Sequence, residues 1–553
     1  MRRSRKHPSS SLPRRLHPRA LCRSAKRCDA RGASFAALIC SALLLSWGSG
    51  CKKSGTAHAL GGLGKPLASG SATDLRLTPD RKTATYLTQA DKPRLEGVPQ
   101  QMVIGLLNAV SVDGGLPRKL GSGVTNLPGG YLFSPDSRWA VFLSGYNAAN
   151  RSGELNLLDL RAATDKPHKV GSQVTYMLVS PDSRWLAFVD GGLLKVGPLP
   201  DGPFKELAGE VSTAEFTPNS QALLLKRKIS AGGALLSTPL GQWNVQKLGE
   251  QVGDYQVSPD SAKVAFARQS ATTAGGYDLF IAAPIVGAPR VSKVSGGTGL
   301  FLFSPDGKWL ARTEGWNVEQ KRGDLYLGTS KGEAGRKIGE KVGDRLSFAP
   351  DSTAIAYLEL WDEPSRSGLM GVTELPEGEP RRVGGRVPNF GWGSNGRYLA
   401  FLSRFVKPVY SVDLMLYRMG DESSFKVNAG VFAYGFGPNN AYFLFRTNCI
   451  REGRACDLYA LDLEKPKERP RKIVEGIYSF KVPDVGDRML VTYAQTQSDT
   501  YDVAAYNLKS GEHRTLDQHI RLPAMFAAPD GSKAAYVIAE PSRAGVYLAE
   551  QLP

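Results

Sequence analysis

The sequence is poor in the residues that most often bind metals, with only six histidines and six cysteines in 553 residues. Two histidines and three cysteines lie within the first 50 residues. The remaining histidines do not stand in metal-ligand spacing with another histidine or cysteine. His513 and His519 are six residues apart, in a polar segment typical of a solvated loop. The chain is therefore predicted to bind no metal and no cofactor.

Acidic residues are scarce only at the start of the chain. The formal net charge is +18, and residues 1–50 contribute +10 of it, with eleven Lys or Arg and one Asp. The other 503 residues carry only +8. This distribution excludes a strongly basic mature protein, so nucleic acid is not an expected partner.

Long apolar runs are also scarce, and the clearest uncharged one covers residues 33–47. About 15 residues rise only about 22 Å as a helix, which is short of the roughly 30 Å hydrocarbon core of a membrane. A basic region, an apolar region and then small residues are the layout of a signal peptide. Residues 1–50 are therefore predicted to be an export signal.

The end of this segment resembles a bacterial lipoprotein signal. Ser49 and Gly50 directly precede Cys51, although Gly48 stands where that motif usually has Leu. The resemblance implies that Cys51 is acylated and becomes the first residue of the mature chain. Because Lys52 follows, rather than the Asp of inner-membrane retention, it favours the outer membrane facing the periplasm. The alternative is a plain secretory signal, with Cys51 incidental.

The two cysteines of the mature chain besides Cys51 are predicted to form a disulfide. Cys449 and Cys456 flank a polar loop between two strand-like runs, which is the pattern of a hairpin. A ring of about eight residues stabilises by roughly 2–3 kcal/mol in the loop-entropy model. Export to an oxidising compartment favours the bond. Two free thiols and a metal pair are the alternatives.

One decapeptide recurs eleven times with an average spacing of about 45 residues, the length of a four-stranded propeller blade. Pro, Asp and Gly in its first half are the residues of a tight turn. Its eighth residue is apolar in every copy, its ninth is small or apolar, and its tenth is aromatic in eight copies. Both faces of this strand are thus predicted to be buried, as between neighbouring blades. The copies begin at residues 77, 133, 179, 216, 257, 303, 348, 392, 436, 483 and 527.

The repeat resembles the TolB-type β-propeller repeat, a WD40-like repeat whose hallmark is a strand followed by S-P-D-G-[KR]-x-[LI]-A-[FY]. The copy at residues 303–312 reads FSPDGKWLAR. The resemblance covers about residues 74–553 and implies the fold rather than the function. Unlike the periplasmic translocation protein that gives the family its name, this sequence is not expected to form an α/β domain before the repeats.

An all-β fold of about eleven four-stranded blades is therefore predicted. Eleven blades exceed the usual four to eight of one ring, so two propellers of five and six blades are expected. The first is placed at residues 74–342 and the second at 343–553, after a flexible Gly- and Ser-rich tether at 51–73. The last blade needs its outermost strand from elsewhere in the chain.

The local motifs in the sequence give little support to a catalytic function. Residues 328–332 match the hydrolase elbow G-x-S-x-G around Ser330, but a repeat strand leads into a Gly-rich turn there rather than into a helix. The repeated aspartates recur at one structural position, which favours capping of a turn over catalysis or Ca²⁺ binding. These aspartates are Asp136, Asp182, Asp260, Asp306 and Asp351.

Two functions remain open. The first is a non-catalytic, lipid-anchored scaffold of the cell envelope that binds a protein or peptidoglycan-associated partner through its loops. The second is an enzyme of the propeller lyase or glycosidase type, with catalytic groups dispersed around the channel. The irregular loops at residues 145–154 and 360–369 are candidate sites for either function. An exposed apolar or aromatic patch would favour a partner.

We expect Cys51→Ala to move the protein from the membrane fraction to the soluble fraction, because the acylated side chain is lost. Cell fractionation together with labelling by a radioactive fatty acid measures this. Persistent label in the Cys51→Ala protein would contradict the lipidation of this residue.

Overall fold

The computed structural model describes residues 64–553, apart from residues 94–98, 100, 163–165, 229–232, 272–275, 407–410, 451–454, 484, 495–498 and 529. These residues form 41 β-strands and two 3-10 helices, Pro438–Asn440 and Pro541–Arg543. No helix in this part of the chain is long and apolar enough to cross a membrane. The predicted all-β class is confirmed.

The described strands form eight antiparallel sheets, five of four strands and three of seven. Each seven-stranded sheet comprises two consecutive blades that share one strand, so the sheets make eleven four-stranded blades in chain order. The first of the described strands, β1 (Lys65–Ser69), belongs to the last blade. Blades 1 to 5 are β2 (Ala72–Leu77), β3 (Thr83–Asp91), β4 (Ile104–Ser111), β5 (Arg118–Thr125); β6 (Tyr131–Phe133), β7 (Trp139–Asn147), β8 (Ser152–Asp159), β9 (His168–Val179); β9, β10 (Trp185–Asp190), β11 (Leu193–Pro198), β12 (Lys205–Gly209); β13 (Val211–Phe216), β14 (Ala222–Arg227), β15 (Gly233–Pro239), β16 (Gln246–Val257); and β16, β17 (Val264–Gln269), β18 (Tyr277–Ala283), β19 (Arg290–Ser295).

Blades 6 to 11 continue the same order. They are β20 (Phe301–Phe303), β21 (Trp309–Asn317), β22 (Arg322–Thr329), β23 (Arg336–Val342); β24 (Leu346–Phe348), β25 (Ala354–Asp362), β26 (Ser367–Glu374), β27 (Arg381–Val387); β28 (Phe390–Trp392), β29 (Tyr398–Val406), β30 (Ser411–Arg418), β31 (Phe425–Asn428); β32 (Ala433–Phe436), β33 (Tyr442–Ile450), β34 (Ala455–Asp462), β35 (Arg471–Ile477); β36 (Ser479–Lys481), β37 (Arg488–Ala494), β38 (Tyr501–Asn507), β39 (His513–Ala527); and β39, β40 (Lys533–Ile538), β41 (Gly545–Glu550) and β1. The strands β9, β16 and β39 each serve two blades, as the outer strand of one and the inner strand of the next.

Both faces of the second strand of each blade are buried, as the repeat predicts. The alanines in the ninth position of the decapeptide, such as Ala187 and Ala400, are fully buried. The aromatic residues in the tenth position are at most 2% exposed; they are Tyr86, Phe142, Phe188, Phe266, Tyr357, Phe401, Phe445 and Tyr536. Among the described residues these side chains fall into eleven apolar clusters, and each cluster joins two consecutive blades.

The packing differs from the expected arrangement of two rings with a boundary at residue 342. Val342 of blade 6 packs with Tyr357 of blade 7 in one buried cluster, so the series of blades continues across that position. Leu75 of blade 1 packs with Val537 of blade 11, which joins the last blade to the first. The eleven blades therefore follow one another in one closed ring. Two separate rings would have required contacts between blades 1 and 6 and between blades 7 and 11.

The strand β1 completes the last blade, and this corrects the predicted extent of the tether. It pairs antiparallel with β41, and the Lys65 ammonium lies 2.6 Å from the Glu550 carboxylate. Leu67 and Ala68 are buried in the cluster between blades 11 and 1. Residues 65–69 and 72–73 are thus strand rather than tether, because they contribute apolar side chains to a core that forms only when the ring closes.

The decapeptide turns of consecutive blades are linked by hydrogen bonds. The backbone amide of the third or fourth residue of one decapeptide donates to a side-chain oxygen of the fifth residue in the next blade. Such bonds join Asp80 to Ser137 (2.9 Å), Asp136 to Ser183, Asp182 to Ser220, Asn219 to Ser261 and Asp306 to Ser352, each 3.0 Å apart. The turns therefore share one face of the ring, here named the lower face, and the opposite face is named the upper face.

We expect Ser352→Ala to lower the free energy of unfolding by about 1 kcal/mol, because the amide of Asp306 loses its acceptor. Ser352 has a left-handed backbone, with φ 62°. Ser352→Gly relieves that conformation and should therefore cost less than Ser352→Ala. Denaturant unfolding monitored by tryptophan fluorescence measures both changes. Ser510→Ala, in an exposed turn, is the control, and a Ser352→Ala protein as stable as this control would contradict the prediction.

Candidate binding surface on the upper face

The predicted site residues fall in different parts of the molecule. Cys51 lies outside the described residues. Cys449 and Cys456 are joined by a disulfide at the tip of the hairpin between β33 and β34, on the upper face. The bond therefore closes the hairpin in which the sequence places these two cysteines.

The repeated aspartates lie in the lower-face turns, where hydrogen bonds occupy their carboxylates. In blade 6 the Ser304 hydroxyl donates to Asp306 at 2.6 Å, and the Lys308 amide donates to the same oxygen at 3.1 Å. Burial alone would raise the pKa of Asp306, but these hydrogen bonds outweigh it and the pKa is lowered. Asp80, Asp136 and Asp260 have lowered pKa values for the same reasons. The geometry is that of a turn cap.

The other sequence candidates are not brought together. Ser330 lies after β22 and before β23, where its amide donates to the Lys308 carbonyl at 2.8 Å. The His513 ring stacks on Tyr506 at 4.9 Å, and His519 lies at the bend of β39. Within the described residues, no group of three or more His, Cys, Asp or Glu side chains could hold a metal ion.

The upper face is built from hairpins that carry bulky aromatic side chains. In blade 7, Trp361 is 2% exposed and covers Gly343, where a Cβ atom would overlap the indole ring. The Trp361 indole N–H donates to Glu363 at 2.9 Å, and the Lys321 ammonium of blade 6 lies 2.7 Å from the same carboxylate. The hydrogen bonds from Lys321 and then Trp361 lower the pKa of Glu363. Trp361 and Glu363 therefore hold the start of the loop at residues 360–369 against blade 6.

Blade 9 presents an exposed aromatic ring over a buried arginine. Phe432, in the loop before β32, is 57% exposed, whereas Arg446 of β33 is 7% exposed. The guanidinium carbon of Arg446 lies 5.1 Å from the centre of the Phe432 ring. Its Nη1 atom has no hydrogen-bond partner among the described residues, and none of their carboxylates forms an ion pair with it. Burial lowers the pKa of Arg446.

This arrangement resembles the centre of a protein-binding surface in composition. Aromatic residues and arginine are enriched among the side chains that contribute most to protein–protein affinity. Ile450, at the tip of the disulfide-bonded hairpin, is 63% exposed, and Val318 of the blade 6 hairpin is also 63% exposed. We refer to Phe432, Arg446 and Ile450 as the blade 9 surface. A guanidinium that forms no ion pair with the described residues can donate hydrogen bonds to a carboxylate of a partner.

Sequence reasoning missed the blade 9 surface, although one signal was present. Arg446 directly follows the decapeptide that ends in Phe445, at a position where most other copies have an apolar residue. A charged side chain at a buried repeat position marks either a structural ion pair or a binding site. The exposure of Phe432 had no such signal, because it depends on how blades 8 and 9 meet.

Comparisons with known proteins concern the fold. No protein-family model matches the chain, and no curated protein matches its sequence. Similar solved structures include a eukaryotic initiation factor, with 13% identity, a TM-score of 0.40 and coverage of 66% of this chain and 94% of that one. They also include TolB from Acinetobacter baumannii, with 18% identity, a TM-score of 0.24 and coverage of 48% and 64%. The tricorn protease matches with 12% identity, a TM-score of 0.29 and coverage of 87% and 57%.

We expect the stability of the ring to fall below about pH 4, where unfolded aspartate protonates. A lowered folded pKa means that the carboxylates stabilise the ring above that pH, and that this contribution is lost as the pH falls through their folded pKa values. The double variant Asp136→Asn, Asp306→Asn should lose less of its unfolding temperature between pH 6 and pH 3 than the unchanged protein. Asn219 already occupies the same position, so Asn suits the turn. Equal losses in scanning calorimetry would contradict the assignment.

Proposed function

We propose that the protein is a non-catalytic scaffold of the cell envelope, anchored by a lipid on Cys51 and acting as a TolB-like propeller that binds a protein partner. The blade 9 surface carries the proposal. It combines an exposed aromatic ring, a buried guanidinium nitrogen that has no hydrogen-bond acceptor among the described residues, and an exposed isoleucine on a disulfide-closed hairpin. These features favour recognition over turnover.

The rigidity of the ring supports this function. Each blade is held on both sides by buried apolar clusters, and the lower-face turns are linked by hydrogen bonds. A surface on such a framework keeps its shape in the free protein, which reduces the loss of conformational entropy on binding. A partner that presents an acidic side chain next to an apolar one would match Arg446 and Phe432 in charge and polarity.

The anchoring segment suits a scaffold of the envelope. Only thirteen residues separate Cys51 from β1, which begins at Lys65. At no more than about 3.6 Å per residue, these residues extend less than about 50 Å. A lipid on Cys51 would therefore hold the ring close to a membrane, where an envelope protein or a peptidoglycan-associated protein is accessible.

We expect Phe432→Ala to reduce the affinity for the partner by at least about thirtyfold, because truncation of a central aromatic residue costs about 2 kcal/mol or more in binding. Cross-linked pull-down from envelope fractions, quantified by mass spectrometry, measures the capture. Leu116→Ala is the matched control, because Leu116 is 95% exposed in the lower-face loop between β4 and β5. Cys51→Ala tests whether capture also depends on the anchor.

Two outcomes would reverse this assignment. In the first, Leu116→Ala and Phe432→Ala reduce the capture of the same proteins to the same extent, which would show that capture is not specific to the blade 9 surface. In the second, no partner is recovered and the purified protein cleaves a glycan, which would favour the lyase or glycosidase alternative. Circular dichroism of each variant shows whether the ring is intact.

A further inference from the structure

A cavity of about 710 Å³ lies where the closed ring joins its last blades to its first. It is named the closure cavity here. Its walls come from the inner strands β2 and β39, from the end of β36 and from residues Gln101 and Asn126 of blade 1. A smaller cavity of about 380 Å³ shares Leu77, Lys481 and Phe526 with it and continues toward the lower-face turns. These volumes are within the usual range for small-molecule sites.

Arg76 is held in a fixed position on one wall of the closure cavity. Its guanidinium pairs with Asp74 at 3.0 Å and donates to the Asn126 carbonyl at 2.7 Å. The guanidinium carbon lies 4.0 Å from the centre of the Tyr131 ring, and the Tyr131 hydroxyl donates to Asp74 at 2.8 Å. The positive charge is thus fixed at the wall before any ligand arrives.

Two further cations of the lining, Lys481 and Arg521, lie on β36 and β39. The Lys481 ammonium donates to the Met525 carbonyl at 2.6 Å and lies 5.0 Å from the centre of the Phe526 ring. Arg521 is exposed, and no side chain of the described residues forms an ion pair with it. Burial lowers the pKa of Lys481, and an anion placed beside the ammonium would oppose this effect because it favours the charged form.

The lining combines positive charge with apolar surface. Three of the residues that line the closure cavity are Lys or Arg and one is Asp, which leaves a net charge of +2. Leu522 and Phe526 of β39 and Leu75 and Leu77 of β2 supply the apolar part. The closure cavity thus places positively charged and apolar side chains within reach of one ligand.

We propose that the closure cavity binds an amphiphilic anion, in which a carboxylate or phosphate group is joined to an apolar body. The oxyanion pairs with Lys481 and Arg521, since charge-assisted hydrogen bonds from such groups are short and strong. The apolar body lies against Leu522 and Phe526. This function is separate from partner binding by the blade 9 surface and does not depend on it.

Isothermal titration calorimetry on the purified protein tests the proposal with four probes that each carry an eight-carbon chain. Octanoate and octyl phosphate distinguish the two oxyanions, and octyl glucoside and octylammonium test the neutral and the positive head group. Acetate and inorganic phosphate test whether an oxyanion without an apolar body suffices. We expect binding of octanoate or octyl phosphate, with clearly weaker binding of all the other probes.

Variants locate the binding. Arg521→Gln and Lys481→Met should each weaken binding by about tenfold, the equivalent of one charge-assisted hydrogen bond. Lys481→Arg should retain most of the affinity. Arg290→Gln removes an exposed charge from the outer strand β19 and should leave the affinity unchanged. Unfolding temperatures within a few degrees of the unchanged protein would show that the variants are folded.

Three results would overturn the proposal. In the first, neither octanoate nor octyl phosphate binds at millimolar concentration. In the second, octyl glucoside binds as tightly as the anionic probes. In the third, Arg521→Gln and Arg290→Gln change the affinity for the anionic probes by the same factor. The envelope pull-down provides an independent comparison. If the Arg521→Gln protein no longer binds the anionic probes but still captures the protein partner, the closure cavity and the blade 9 surface act separately. If Phe432→Ala has no effect on either, only the proposed partner surface fails.

Discussion

The fold depends on apolar contact between neighbouring sheets. Each blade buries two faces, so no blade has a complete core until a blade lies on each side of it. The small residues of the ninth repeat position, such as Ala400, allow close approach on one face, while aromatic residues such as Phe401 fill the space on the other. A linear stack would leave blades 1 and 11 with one bare face each. Closure of the ring removes both ends, through the cluster that contains Leu75 and Val537.

Local features of this fold could be predicted from the sequence, because the repeat carries its turn and its two buried faces within ten residues. The number of rings could not. Whether Val342 meets Tyr357 in a continuous series or faces a gap depends on contacts between blades, and every blade presents a similar surface. The burial of Leu67 could not be predicted for a related reason, because the strand that pairs with β1 lies about 480 residues away. The sequence around Leu67 is rich in Gly and Ser, which is typical of a linker.

The candidate sites show the same division between local and distant information. The pairing of Cys449 with Cys456 follows from seven residues of sequence separation and a hairpin pattern. Arg446 could have been found as a charged exception to a buried repeat position, whereas the closure cavity could not, because Arg76, Lys481 and Arg521 are distant in the chain. Sites of this kind arise only when the first and last blades meet.

The position of β1 has a mechanical consequence. This strand holds the outer edge of the last blade and is also the first of the described strands in the chain. Tension applied through the residues that precede it would act first on the short ladder between Lys65–Ser69 and β41, before it reaches any other blade. Detachment of β1 would expose Val546 and Leu548 of β41, which it helps to cover, and would weaken the junction between blades 11 and 1. Among the described strands, β1 is therefore the element on which such tension would act.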